Sequence, residues 1–97
     1  MADPTDPILT AIARYRAGLK DYDANAPQDD AGAKAYIHVS YAPPMRVLEA
    51  WTEPAVSVDG AVEALRLARD ENETGDSDIV GAMLSAALAY FETGGDQ

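Results

Sequence analysis

From Ile8 onward, apolar residues recur at helical spacing. Ile8, Ile12, Tyr15, Leu19 and Tyr22 follow a 4-3-4-3 rhythm that lines one face of a helix. Asp6 stands where an N-cap belongs. Pro7 fits the first helical position, where its missing N–H costs nothing. Ala24-Asn-Ala-Pro27 ends this segment, and Gln28 to Gly32 read as a polar loop. A third helix is expected from Ser57 as N-cap, with Asp59 facing the positive end of its dipole and Val58, Val62, Leu65 and Ala68 as its apolar face. The last is expected from about Ser77, with Ile79, Val80, Met83, Leu84, Ala87, Leu88 and Phe91 forming a broad apolar face. Along it, Gly81, Ser85 and Ala89 sit four apart, a spacing that lets a neighbouring helix approach closely. Gly94-Gly95 ends it.

Between these segments the pattern has two readings. Tyr36-Ile-His-Val-Ser-Tyr41 has the β-branched and aromatic content of a strand, with Ile37, Val39 and Tyr41 alternating. No other segment alternates with period two, so such a strand has no partner, and a helix stopping before Pro43 is favoured. Pro43-Pro44 is expected to break the helical path, and a turn after it would carry Val47, Leu48 and Trp51 inward. The expected fold is all-α: a small irregular antiparallel bundle of three to four helices, at about 7–24, 33–51 broken at Pro43-Pro44, 57–72 and 77–93. It forms one domain over 1–97, with frayed ends at 1–5 and 94–97.

Size and charge narrow the function classes. A chain of 97 residues buries only about 60–65% of the surface its unfolded form exposes. It has no cysteine, hence no disulfide, thiolate metal site or thiol nucleophile. Nineteen alanines against one Phe and one Trp favour closely packed helices with few large anchors. The 17 acidic and 7 basic residues give a net charge of -10, which repels nucleic acid and anionic lipid and favours basic proteins or cations. The N-terminus lacks the basic and apolar regions of a signal peptide, and no run approaches the roughly 20 apolar residues of a membrane span. A cytoplasmic protein is expected, with no membrane or direct nucleic-acid partner.

The closest approach to a chemical device is Asp70-Glu-Asn-Glu-Thr-Gly-Asp-Ser-Asp78. Asp70, Asn72 and Thr74 match the first three ligand positions of a calcium loop, Gly75 the sixth and Asp78 the ninth. The eighth position is Ser77 rather than an aliphatic residue. The twelfth is Gly81, which removes the bidentate carboxylate and two of the oxygens calcium requires. A solvated inter-helix turn is the better reading, with Asp70, Asn72, Thr74 and Asp78 as weak metal candidates. His38 is the lone histidine and has no nucleophile signature beside it. No phosphate-binding glycine loop or Glu-x-x-His pair is present, and no enzyme, catalytic residue or cofactor is expected.

Two segments, Asp6-Pro-Ile-Leu-Thr-Ala-Ile-Ala-Arg-Tyr-Arg-Ala17 and Thr52-Glu-Pro-Ala-Val-Ser-Val-Asp-Gly-Ala-Val-Glu-Ala-Leu65, together about a quarter of the chain, resemble a family of short uncharacterised bacterial proteins. That family opens with Asp-Pro-Ile and an alanine-rich helix, then carries a proline-bearing break into an Ala/Leu-rich helix. The resemblance implies a helical fold and no known activity. The functional expectation is therefore a non-enzymatic helical interaction protein that self-associates, with Tyr15, Leu19, Tyr22 and Trp51 as interface residues. The alternatives are an acidic neutraliser of a basic protein, antitoxin-like or mimicking nucleic acid, and a weakly calcium-responsive module.

Overall fold

A computed structural model describes residues 6–74 and 78–93. Five helices follow one another: α1 (Pro7–Asn25), α2 (Asp30–Ile37), α3 (Ala42–Glu49), α4 (Val58–Thr74) and α5 (Asp78–Thr93). The fold is all-helical among the described residues. The expected frayed ends, 1–5 and 94–97, and the glycine expected to end the loop after α4, Gly75, lie outside them.

Asp6 is the N-cap of α1, as its position predicts, and it does more than cap. Its Oδ1 accepts from the Ile8 amide at 3.3 Å. Its Oδ2 accepts from the Val56 amide at 3.0 Å and from the Ser57 hydroxyl at 2.7 Å. The Ser57 hydroxyl in turn accepts from the Gly60 amide at 3.0 Å, which is the capping bond of α4. One buried carboxylate thus joins the starts of two helices. Gly60 makes the junction possible, because a Cβ there would collide with the Asp6 Oδ2 and Cγ and with Ile8.

The middle of the chain departs from expectation in three ways. The helix after the first loop starts at Asp30, not near residue 33, because Asp29 caps it by accepting from the Gly32 amide at 2.7 Å. It ends at Ile37. The break then falls at 38–41, where the Ser40 amide and hydroxyl both return to the Tyr36 carbonyl. Pro43-Pro44 therefore starts a helix instead of breaking one. Both prolines lie in the first turn of α3, where amide protons have no helical acceptor to lose. Tyr36 and Ile37 are helical, which settles the strand alternative for those two residues.

The core is more than half alanine: Ala11, Ala42, Ala55, Ala61, Ala64, Ala68, Ala86 and Ala87 surround Ile8, Ile12, Tyr15, Leu48, Leu67, Ile79 and Met83. α4 packs most extensively on α5, α1 packs on α3 and α4, and α3 also reaches α5. The Ala55 amide donates to the Ala86 carbonyl at 3.1 Å, tying the 50–57 segment to α5. α1 lies directly on the 38–41 turn, since a Cβ on Gly18 would stand 2.8 Å from the Ser40 carbonyl oxygen and the Tyr41 Cα. α2 buries no residue. It is held by the Tyr36 hydroxyl, which donates to Asp21 at 2.7 Å, and by the Tyr22 ring, 6.4 Å from that of Tyr36.

The molecule is a slab of 51 × 32 × 18 Å with a radius of gyration of 14.6 Å. A compact chain of this length has about 13 Å. The short dimension holds two helix layers and no third.

Asp6→Ala removes the cap and leaves the Val56 amide and Ser57 hydroxyl unpaired. It is expected to cost about 3 kcal/mol, read as a lower urea midpoint at unchanged slope. Gly60→Ala is expected to destabilise as well, by about 2 kcal/mol, although alanine is the better helix former. A stabilised Gly60→Ala protein would refute the close approach of the two helix starts.

Candidate interaction surface

α4 shows which way its helix turns. The residues facing the core are Gly60, Ala61, Ala64, Leu67 and Ala68. Of the expected apolar face only Ala68 is buried; Val58 and Leu65 point outward, and Val62 is half-buried. The face is rotated because the Asp6–Ser57–Gly60 junction admits no side chain at position 60 and so brings the smallest residues of α4 inward. α5 divides its broad apolar face between two sides. Ile79, Met83, Ala86 and Ala87 are buried, whereas Leu84, Leu88 and Phe91 keep 47%, 57% and 46% of their surface exposed.

Two of these outward residues, Leu65 and Leu84, meet across the α4–α5 contact. Leu65, Ala68, Arg69 and Asn72 of α4 share a shallow groove with Val80 and Leu84 of α5. Late residues of α4 thus meet early ones of α5, the antiparallel register that brings Val58 toward Phe91. Phe91 leans on Tyr90 with ring centroids 5.3 Å apart, edge to face. No charged residue occurs from Ile79 to Phe91, in a chain one quarter charged. Gly81 and Ser85 lie on the same exposed side, and a Cβ on Gly81 would meet nothing within 4 Å. Packing within this chain therefore does not require the glycine, which costs about 1 kcal/mol relative to alanine in a helix.

The residues expected at an interface lie elsewhere. Tyr15 is 3% exposed, enclosed where α1 packs on α3 and α4, and its hydroxyl donates to Glu71 at 2.9 Å. Its ring is enclosed by its own chain. Leu19 and Trp51 are half-buried against the core. Tyr22 is half-buried among aromatic neighbours, its ring 5.4 Å from that of Tyr41 and edge-on to it. On α5 the sequence carries a signal of the outward face, the uncharged run from Ile79 to Phe91.

Of the metal candidates, Asp70 and Asn72 do not face one another. Asp70 and Asn72 belong to α4, two residues apart and so directed to different sides of the helix. Asp70 pairs with Arg16 at 3.7 Å and with Arg69 at 3.0 Å. Asp78 opens α5. The Thr74 side chain and residues 75–77 lie outside the described residues. Among those described, no three His, Asp or Glu side chains could hold a metal ion, and His38 is exposed at the end of α2. No described helix is long and apolar enough to cross a membrane.

Charge chemistry is structural where it is perturbed. Burial, followed by the hydrogen bond to Glu71 and its negative charge, pushes the Tyr15 hydroxyl well above its ordinary pKa. At the exposed α1–α2 corner, donation from Tyr36 and Asn25 holds Asp21 below the usual carboxylate range. Arg16 lies between Glu63 at 3.8 Å and Asp70 at 3.7 Å, bridging α1 to α4.

Comparison with known families, with curated proteins and with solved structures finds no match. The functional reading therefore rests on this geometry.

Because the pKa of Tyr15 is raised by folding, the unfolded state loses that proton first. Its contribution to stability is complete below about pH 10 and is lost as the pH rises further. Urea midpoints measured from pH 7 to 11 should hold steady and then fall. Tyr15→Phe should be less stable by about 1 kcal/mol at pH 7 and show a shallower alkaline fall.

Proposed function

We propose that this chain is a non-enzymatic, cytoplasmic interaction protein that pairs with a second copy of itself through the outward face of α4 and α5. The observation that carries this reading is α5, a helix apolar on both sides in a domain that covers only one of them. A helix that is hydrophobic all round belongs inside a structure. The 18 Å thickness leaves it at the surface.

A second copy suits the face better than a basic partner does. Along α5, with no charge from Ile79 to Phe91, two copies can meet without opposing like charges despite a net charge of -10 on each, and Arg69 at the groove is paired with Asp70 of its own chain. A basic helix would find no carboxylate between Ile79 and Phe91. The exposed parts of Val58, Leu65, Leu84, Leu88 and Phe91 amount to on the order of 400 Å², about half of what one partner gives to a standard interface. Flanking residues would supply the rest. Twofold pairing makes the patch self-complementary, and Gly81 with Ser85 lets the two α5 axes approach to about 8 Å.

Light scattering after size exclusion at about 50 μM should give twice the chain mass, unchanged from low salt to 1 M NaCl. Leu84→Asp with Leu88→Asp should give a monomer with the same helical circular dichroism. A wild-type monomer would overturn the reading. A monomer that captures a basic protein, and releases it at high salt, would favour the acidic neutraliser instead.

A further inference from the structure

A pocket of about 410 Å³ opens between α1 and α3, on residues that the pairing surface does not use. Its walls come from Pro7 and Arg14 of α1, Pro43, Pro44 and Val47 of α3, and Trp51 beyond it. The volume falls within the range of small-molecule sites, about 300–1,000 Å³. Three proline rings at two helix starts give it stiff walls, so little order has to be imposed when a ligand enters.

Two features mark the ligand chemistry. Arg14 is the single charged group lining the pocket, and like Arg46, but unlike Arg16, Arg66 and Arg69, it has no carboxylate partner among the described residues. Arg14 thus sets an available guanidinium beside a wall that carries no acidic side chain. The Trp51 indole N–H is enclosed without an acceptor. That N–H is turned away from solvent, so Trp51 offers the pocket its ring rather than its donor. Thr10, on the same wall as Arg14, adds a hydroxyl donor.

We propose that this pocket binds a small apolar monocarboxylate, with its carboxylate on the Arg14 guanidinium and its aryl or alkyl body on Pro43, Pro44, Val47 and Trp51. One cation matches one negative charge, which disfavours dicarboxylates and nucleotides. Bidentate Arg–carboxylate geometry supplies orientation, and the apolar wall supplies most of the contact.

Trp51 is the only tryptophan in the chain and reports directly on its own pocket. Titration of the full chain with 3-phenylpropanoate should change its emission saturably, with a dissociation constant below about 1 mM. The neutral 3-phenylpropanamide should bind about tenfold more weakly. Arg14→Gln should remove the preference for the acid while leaving amide binding unchanged, and Val47→Phe, at a half-exposed position, should block both ligands. Amide-resolved NMR should place the largest shifts at the Trp51 indole, Val47 and Arg14. Absence of saturation at 10 mM, equal binding of acid and amide, or shifts centred on α5 would each overturn the proposal.

Discussion

The Asp6 carboxylate accepts three hydrogen bonds, and the arrangement of the whole domain follows from where they come from. One is local and starts α1. The other two come from Val56 and Ser57, and through the Ser57 hydroxyl they start α4. Two positive helix ends converge on one negative group, which favours the charge that burial would otherwise penalise. Gly60 is the steric counterpart of that chemistry. Once position 60 must face the carboxylate, helical periodicity sends Ala61, Ala64, Leu67 and Ala68 to the core and Leu65 away from it.

An alanine-rich core has a geometric result. Small side chains bring helix axes close, so each residue covers little area and the slab stays thin. Large apolar residues then exceed the interior available to them. Some fill the centre, as Ile8, Leu48, Leu67, Ile79 and Met83 do. Others are left outside, on α5 above all. The surface pairs of Arg16, Arg66 and Arg69 with Glu63 and Asp70 are exposed and individually add about 0–1 kcal/mol. The larger share of the outward surface of α5 is therefore apolar rather than charged.

The helical class and the two caps were legible because they are local. Asp6-Pro7 and Ser57 carry their own chemistry, and the rhythm from Ile8 to Leu19 states which side of α1 is covered. The diproline is ambiguous in sequence because proline breaks a helix from within but suits its first turn. The difference lies in where the preceding turn closes, which Ser40 settles by bonding back to Tyr36. The face of α4 was illegible for a nonlocal reason. Hydropathy ranks Val58 and Leu65 above Gly60 and Ala61, and only Asp6, some fifty residues away, reverses that order. The amphipathic ring of Tyr15 suits an interface or a core equally in sequence, and the acceptor its hydroxyl uses, Glu71, lies 56 residues away in the same chain.

The same junction sets an order of assembly. α4 and α5 are adjacent in sequence, so their hairpin closes a short loop and gains its contacts early. The bonds from Val56 and Ser57 to Asp6 span 50 and 51 residues, and loop entropy makes them slow to close. During synthesis α1 emerges well before the residues that will fix its start, and its carboxylate stays hydrated until they arrive. The local contacts of the α4–α5 hairpin thus close over a short stretch of chain, whereas the cap that fixes the start of α4 waits on a contact some fifty residues away.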